Sequence, residues 1–587
     1  MRTALQKRWV VKEADSQSIL RQSKELGVSP LLARILVLRG LTDDNAARRY
    51  LSSSLRADLP SPFEMAGMEP AVRRVVDAIK NSEQIAIWGD YDVDGTTGAA
   101  ILVSFLREVG AAPIYYVPHR IDEGYGLNVD GLRRLRQRGV DLVVTVDCGI
   151  SNANEVSAAS EMGLDVVIVD HHQLPTELPA ADAIINPHRK DCFFPDKGLC
   201  AAGLAFYLVI GLRAKLREEG WFRSSKEPDI RRYLDIVTLG TIADMVPLTG
   251  VNRTLIRRGL IELSGSRRPG VIALKQISNI PTGDISAAQV GFRLGPRINA
   301  AGRVDYGMKV VELLTTDSPE IALRLAQELE AHNTERRAIE TLVFEQAMAQ
   351  AAAAMDGVGR HGLVLASEGW HPGVLGIVAS RIVEKYYRPT VVIGLNGGAG
   401  KGSARSIRGF HMVEGFRRCA AYLEKFGGHE YAGGLSIDAG KLELFAEAFE
   451  ICVKQTLTSE ELLPLLEIDA PLNFSDIGFS LARTLDVLKP FGVGNPEPLF
   501  MTTKVEVCER KDFSAGVRYR LRQERHVIGG VIFAAGDDFP GRVGESIDVA
   551  YRVSENEWNG ASHVELKIVD VRSTSGHSSA ALSSGEA

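Results

Sequence analysis

Apolar residues fall in two rhythms along this chain, and the change between them divides it. Over residues 1–60, Leu31, Leu32, Ile35, Leu36 and Leu38 recur at helical spacing, and Asp43, Asp44 and Asn45 suit a helix start. Short, nearly continuous apolar runs then take over: Ile85–Trp88, Ile114–Val117, Leu142–Val146 and Val166–Val169. A helix is predicted from Thr97 to Val109, after the first run. Such runs alternating with helices indicate a mostly parallel sheet buried on both faces. Helical spacing returns from Asp229 to Ala243. From Ser318 to Met355 the chain is rich in Ala, Glu, Leu, Arg and Gln, with no Gly or Pro after Pro319. Ser318 and Pro319 suit an N-cap and first turn, and Gly357 a stop. Unbroken, this helix would run about 57 Å and could connect two domains; a break near His332–Thr334 would make it two.

A second α/β unit follows, with strands at Leu363–Ala366 and Thr390–Ile393 around a helix at Val374–Tyr386. Beyond Glu460 the pattern becomes alternating. Met501–Glu506, Arg518–Arg522, His526–Phe533, Ser546–Val553 and His563–Val571 read as strands of a small OB-like barrel. From Ser573 the chain is rich in Ser, Ala and Gly, which predicts a disordered tail. No internal repeat is visible. The expected class is a multidomain α/β protein. Its pieces are an N-terminal helical region (1–60), a parallel-sheet domain (61–316) and a connecting helix (317–356). A second α/β domain (357–459), a β-barrel (460–572) and a tail (573–587) complete it.

Composition changes this picture little. With 587 residues, 45% hydrophobic and 24% charged, the chain is globular, neither fibrous nor wholly disordered. Its 68 Lys and Arg against 74 Asp and Glu give a formal charge of -6. That argues against a small basic nucleic-acid binder but not against local basic grooves. The six cysteines form no C-x-x-C pair in a chain too long for a disulfide scaffold. Reduced thiols in a cytoplasmic protein are expected. Residues 1–15 have no signal-peptide pattern, and no apolar run is long enough to span a membrane.

The candidate chemistry lies where the strands end. Asp90-Tyr-Asp92-Val-Asp94-Gly95 directly follows the first strand. Its carboxylates, two apart, would project to one side if extended. Crowded there, they repel one another unless a cation intervenes. The next strands end in Asp147-Cys148-Gly149 and in Asp170-His171-His172. Each acid alone could be a turn or cap residue. Together, beyond the carboxyl ends of adjacent parallel strands, they form a cluster suited to a dinuclear site for Mn²⁺ or Mg²⁺. Cys148 reads as a packing residue. Asp244, closing an apolar helix before Pro247, is a further candidate. Gly400-Lys401 is not a P-loop, since position 395 is Leu and Gly402 follows the lysine.

In this order, the D-x-D-x-D-G, D-C-G and D-H-H elements resemble the DHH phosphoesterase superfamily. Within it, residues 89–98, Gly295-Pro-Arg297-Ile-Asn299-Ala-Ala-Gly-Arg303 and Phe491–Pro498 resemble its single-strand-specific 5′→3′ DNA exonucleases. Gly427-Gly-His429-Glu-Tyr-Ala-Gly-Gly434 is similar to the signature of the DHH-associated domain, with Ala-Gly-Gly where Ala-Ala-Gly is usual. The likeness runs in order from Pro60 to Val571. It implies a DHH-type domain, a DHH-associated domain and an OB-like barrel. It also implies Asp92, Asp94, Asp147, His171 and Asp244 as catalytic metal ligands for two divalent ions, Mn²⁺ or Mg²⁺, with Asp147 bridging. Asp90 and His172 would lie in or beside that shell. Trp88 stands where simpler members have a ligand His, so Asp90 or water would substitute.

The resemblance further implies phosphate contacts from Arg120, Arg297, Asn299, Arg303, Ser403 and Arg405, and a DNA-backbone contact from His429. The substrate would be single-stranded DNA, released as 5′-mononucleotides in recombination and repair. A groove between the two α/β domains would admit one strand and exclude duplex. A single-strand-binding protein and a helicase are the implied partners of a monomer. Arg133, Arg134, Arg136 and Arg138, and Arg253, Arg257, Arg258, Arg267 and Arg268, read as solvated helix faces. Arg518, Arg520, Arg522 and Arg525, with Tyr519 interleaved, would offer the barrel a basic stacking surface. Two other readings compete. A small-substrate phosphodiesterase is disfavoured by the added N-terminal and barrel regions. A scaffold that has lost catalysis is disfavoured by the intact acids.

Overall fold

The computed structural model describes residues 7–119, 123–281, 283–301, 307–357, 359–533, 540–558 and 561–574. Of the expected tail from Ser573, Ser573 itself ends a strand, and the chain from Ser575 lies outside the described residues. Two compact units are present. The first comprises Asp43–Thr334 and Leu488–Glu497; the second comprises the chain up to Thr42, Glu335–Val487, and the chain from Pro498 onward. The division falls inside a helix, Pro319–Ala354, that is continuous for 36 residues. It does not break near His332, and Ser318 caps it, accepting from the Ile321 amide at 3.3 Å.

The first unit is built on a five-stranded parallel sheet ordered Ile114–Tyr116, Gln84–Gly89, Val140–Val146, Asp165–Val169, Ala183–Ile185. The last of these strands, three residues long, was not visible in the sequence. Side chains alternate between two cores, as a pleat requires. Ile85, Ile87, Val144, Val146, Val167 and Val169 face the helices Met68–Asn81, Val93–Glu108 and Ala201–Glu218. Ala86, Trp88, Val143, Val166 and Ile168 face the other side, with Leu132, Leu135 and Val156. Trp88 is fully buried there, its ring 4.4 Å from that of Tyr116. It is a packing residue on the face opposite the helix that follows its own strand.

Register is what places the chemistry. Gly89 pairs with Val146, and Val146 with Val169, so three adjacent strands end level. The amides of the next residues continue the ladder: Asp90 donates to the Val146 carbonyl at 3.1 Å, Asp147 to Val169 at 2.9 Å, and Asp170 to Ile185 at 3.1 Å. One helix differs from expectation. It begins at Val93, not Thr97, so Asp92 is its N-cap and Asp94 lies in its first turn. The D-x-D-x-D segment is therefore not extended. An Asp at the N-cap gains a backbone hydrogen bond that an extended chain would forgo.

In the second unit, a mixed sheet runs Lys425–Gly428, Ala432–Asp438, Ala399–Arg405, Thr390–Asn396, Leu363–Glu368. Only the last pair is parallel. The sequence indicated two of these strands; the glycine-rich ones carry too few apolar residues to show alternation. Phe500–Phe513, Gly516–Gln523, His526–Phe533, Ser546–Trp558 and Ala561–Ser573 close into a barrel, since the first also pairs with the fourth. All five were anticipated, His526–Phe533 with these bounds and the other four with shorter ones. The N-terminal region is not wholly helical. Arg8–Val11 pairs in parallel with Leu465–Ile468, and Trp9 donates to Asp570 at 2.7 Å beneath the Arg572 guanidinium. Four residues are too few to reveal a period, so the apolar pattern does not set this strand apart from the helices that follow it. Among the described residues no helix is long and apolar enough to cross a membrane.

Because Trp88 fills its core completely, Trp88→Ala is expected to destabilise the first unit by about 3–5 kcal/mol. Chemical denaturation followed by circular dichroism measures it.

Candidate metal centre

Five aspartates and two histidines converge beyond the level strand ends in three overlapping groups: Asp90, Asp92 and Asp147; Asp94, His171 and Asp244; Asp147, His171 and His172. Within each group the ligand atoms lie within 4.8 Å of one another. Asp147 and His171 each belong to two groups, so the first two groups adjoin through them.

Each side chain is placed by main-chain geometry. Asp92 accepts from the Gly95 amide at 3.0 Å while capping its helix. Gly95 lies so close to Asp90 that a Cβ would come 2.7 Å from the Asp90 Cα. Asp94 is almost wholly buried and accepts from the amides of Ala201 and Ala202, at 2.6 and 2.9 Å, at the N-terminus of the helix Ala201–Glu218. That end carries partial positive charge and favours a carboxylate. Gly240 permits this packing, since a Cβ there would stand 3.1 Å from Asp94 Oδ1. Asp147 adopts a left-handed conformation (φ +66), which Asp and Asn tolerate best among side-chain-bearing residues. Asp244 ends the helix Leu234–Ala243, and Met245 after it is also left-handed (φ +61).

His171 Nε2 stands 3.2 Å from Asp147 Oδ1 and 3.7 Å from both Asp94 Oδ2 and Asp244 Oδ2. His172 turns to Asp170, with Nδ1 2.8 Å from Oδ1. Asp170 is fully buried and also accepts from the amides of Ile150 and His172. Burial acts to raise the Asp170 pKa, but the bonds from His172 outweigh it and hold the carboxyl below its ordinary value. In return the bond to Asp170 raises His172. The Tyr125 hydroxyl donates to the Asp147 carbonyl at 2.9 Å and lies 3.3 Å from His172 Nδ1. Asn186 donates to the His172 carbonyl at 2.9 Å.

The electrostatics are those of a cation site. Burial, then the neighbouring carboxylates, push Asp147 well above the ordinary range. Burial also raises Asp94. Asp244 is pushed up to about 9 by burial and the charges of Asp94 and Asp92. Buried Asp147 Oδ1 and Asp244 Oδ2 accept no hydrogen bond among the described residues. Buried carboxylate oxygens of that kind are costly unless paired or coordinated. A donor set of carboxylate oxygens and imidazole, without thiolate, suits Mn²⁺ or Mg²⁺. Cys148 is fully buried and burial raises its pKa, consistent with a packing role.

The other candidates divide. Gly295 opens the helix Gly295–Ala301 against Ala243, next to Asp244. Gly307 lies against Tyr91, between Asp90 and Asp92. Gly295 and Gly307 thus lie beside neighbours of the acids, but Arg297 is bound to Glu330 at 3.1 Å and to the Arg293 carbonyl. Asn299 lies half-buried on that helix. Arg120 and Arg303 lie outside the described residues. In the second unit, Ser403 and Arg405 share one strand and one face, with an Arg405 Nη1–Ser403 Oγ distance of 3.4 Å. A groove of about 350 Å³ runs over that face, lined by Lys401, Ser403, Lys425, Phe426, Gly434 and Ser436. His429 is exposed in the adjoining hairpin.

Several expectations about arginines fail. Arg253 is fully buried, Arg257 donates to the Leu51 carbonyl at 2.5 Å, and Arg268 pairs with the buried Asp235. They are internal struts, not a solvated face. Tyr519 is also fully buried, donating to the Pro540 carbonyl, so it offers no stacking surface. It faces inward because a strand alternates, and its position between arginines marks that alternation. Arg520 and Arg522 pair across strands with Glu509 and Glu506. Among the described residues the barrel exposes Phe513 and Phe533, which are in edge-to-face contact. Tyr125 and Asn186 also went unassigned from sequence. Tyr125 sits in Glu123-Gly-Tyr-Gly-Leu127, whose glycines could have marked it; nothing marked Asn186.

Parallel sheet and acidic cluster together define a DHH-type phosphoesterase, and residues 84–241 match the DHH family, N-terminal domain. Residues 345–455 match the DHHA1 domain and 468–570 the RecJ OB domain. The chain is 36% identical over 575 residues to the single-stranded-DNA-specific exonuclease RecJ of Salmonella typhimurium, covering 92% of this chain and 96% of that one. It superimposes on RecJ from Thermus thermophilus in complex with Mn²⁺ with a TM-score of 0.81 at 30% identity, over 99% of this chain and 81% of that one. For the same protein in complex with Mg²⁺ the TM-score is 0.76 at 29% identity, over 99% and 80%. The chain belongs to the RecJ family.

Asparagine can hold the left-handed conformation of Asp147 without its charge. Asp147→Asn is therefore expected to raise the melting temperature of the metal-free protein, since it removes a buried charge that burial and the neighbouring carboxylates disfavour. The same change should abolish most of the stabilisation that Mn²⁺ confers. Thermal melts in chelator and in Mn²⁺ measure both effects.

Proposed function

We propose that the protein is a metal-dependent exonuclease that degrades single-stranded DNA from the 5′ end and releases 5′-mononucleotides, acting in recombination and repair. The observation that carries this is the convergence of Asp90, Asp92, Asp94, Asp147, His171 and Asp244 at level strand ends, in a chain of the RecJ family. Asp90, Asp92 and Asp147 would hold one divalent ion, and Asp94, His171 and Asp244 a second, with Asp147 shared. Mn²⁺ or Mg²⁺ bound there would polarise the phosphodiester and activate water for in-line attack.

The protein's own groups do the rest. Asp170 fixes His172 in orientation and tautomer beside the cluster, placing an imidazole where a proton can be held or passed. Tyr125 anchors the main chain of Asp147. The groove carrying Lys401, Ser403 and Lys425, floored by Gly434, suits a phosphate. Burial pushes the pKa of Arg405 down, a cost that a bound anion would offset. Ser403, Arg405 and His429, with Arg120, Arg297, Asn299 and Arg303, are the proposed phosphate and backbone contacts. Arg297 would have to exchange Glu330 for the strand. The same proposal assigns metal chemistry to residues 61–316, the phosphate grip to 357–459 and strand binding to the barrel at 460–572, in a monomeric cytoplasmic protein. A single-strand-binding protein and a helicase would supply its substrate.

Single strands labelled at either end, incubated with Mn²⁺, test polarity and metal dependence together. The 5′ label should be released as mononucleotide while the 3′ label stays on a long product; the reverse order would refute the polarity. Asp147→Ala is expected to lower the rate at least a hundredfold. Arg405→Ala should reduce the preference for a 5′-phosphate over a 5′-hydroxyl end.

A further inference from the structure

The segment Leu488–Glu497 follows Val487 of the second unit yet packs within the first. It is cinched on itself: the amides of Gly492 and Asn495 each donate to the other's carbonyl, at 2.9 and 3.1 Å. The Asn495 side chain, fully buried, donates to the carbonyls of Leu488 at 2.9 Å and Pro490 at 2.6 Å. Its Oδ1 accepts from the Tyr50 hydroxyl at 2.8 Å. Arg253 fills the space beneath. Its guanidinium lies 3.8 Å from the Tyr50 ring and donates to the carbonyls of Tyr50 and Leu488, at 3.0 and 2.9 Å. A buried arginine engaged so fully is a rigid support.

This knot closes on one place, the chain just after Asp244. Leu248 donates its amide to the Val493 carbonyl at 2.7 Å. Gly494, in the left-handed region (φ +70), lies on Pro247 and Thr249, where a Cβ would come within 3.1 and 3.3 Å. Gly492 lies on Leu248, where a Cβ would stand 2.6 Å from a methyl carbon. From the other side, Asn252 donates to the Pro247 carbonyl at 3.0 Å and Asp196 accepts the Val251 amide at 2.7 Å. Between this fixed point and the end of the helix Leu234–Ala243 stand only Asp244, left-handed Met245 and Val246. Met245, whose amide donates to the Ile242 carbonyl at 3.3 Å, thus stands in its left-handed conformation between two anchored ends.

We propose that Leu488–Glu497 is a clamp that sets the position of Asp244, and that Asn495 is its positioning residue. The inference rests on the metal-centre reading above. Mn²⁺ would then bind the cluster tightly only when the clamp is closed, because coordination tolerates little displacement of a carboxylate.

The test is direct Mn²⁺ binding to the full chain, by calorimetry and electron paramagnetic resonance, with circular dichroism as the control for folding. Asn495→Ala is expected to weaken Mn²⁺ binding about tenfold. In an Asp244→Ala background the same change should have no further effect, which a general loss of structure would not reproduce. Tyr50→Phe deletes one hydroxyl and keeps the ring on Arg253. It should give a smaller loss with the same dependence on Asp244, and it carries the test if Asn495→Ala does not fold. Undiminished Mn²⁺ binding in the folded variants, or an equal loss in both backgrounds, would overturn the clamp. Failure of the unaltered protein to bind Mn²⁺ would instead overturn the metal centre itself.

Discussion

Carboxylates that must share a small buried space repel one another, and the first unit is organised to hold them there regardless. Asp94 and Asp147 lie almost wholly inside the protein, and Asp90, Asp92 and Asp244 crowd the same volume. Burial and mutual repulsion push Asp94, Asp147 and Asp244 upward together. A fold evolved only for stability would have no use for such a cluster. Its persistence requires supports that do not depend on the charges: level strand ends, an N-cap, a helix terminus and two left-handed residues.

These supports explain why small residues matter around the site. Gly95 and Gly240 each stand where a side chain would collide with, or crowd, an acid: a Cβ on Gly95 would meet the Asp90 main chain, and one on Gly240 would come 3.1 Å from Asp94 Oδ1. The sheet supplies three strand ends, but Asp94 and Asp244 come from helices, which Gly240 lets approach closely, since a Cβ there would collide with Thr97 Oγ1. On the far side of the sheet Trp88 fills its core. Asp90 stands with Asp92 and Asp147 in one group of the cluster.

Much of this was legible in the sequence because it is periodic or locally encoded. The four main strands of the first sheet and the five barrel strands announced themselves by apolar spacing, the long helix by a composition free of Gly and Pro after Pro319, and the acids by their position after strand ends. What escaped lacked a period or depended on distant partners. The three-residue strand Ala183–Ile185, the strand Arg8–Val11 and the glycine-rich strands at Lys425–Gly428 and Ala432–Asp438 carry too little side-chain pattern. The early start of the helix at Val93 escaped because a run of alternating acids reads equally as a loop. Arg253 and Tyr519 misled for a deeper reason. A sequence shows that an arginine is charged, or that a tyrosine is aromatic, but not whether a carbonyl or a hollow waits for it inside.

The arginines also alter what the net charge of -6 conveys. Arg253, Arg268, Arg297, Arg520 and Arg522, which by type could grip phosphate, are bound to carbonyls or carboxylates within the fold. The acids of the metal cluster, conversely, are negative only in the formal count, since bound divalent ions would offset them. Both corrections run against inference from totals. Positive charge that can meet a polyanion is set by which side chains the fold leaves facing a groove. In the second unit Lys401 and Lys425 line one such groove together with Gly402 and Gly434. Affinity for a strand then depends on a few placed cations and their distance from phosphate, and a chain of net negative charge can hold one.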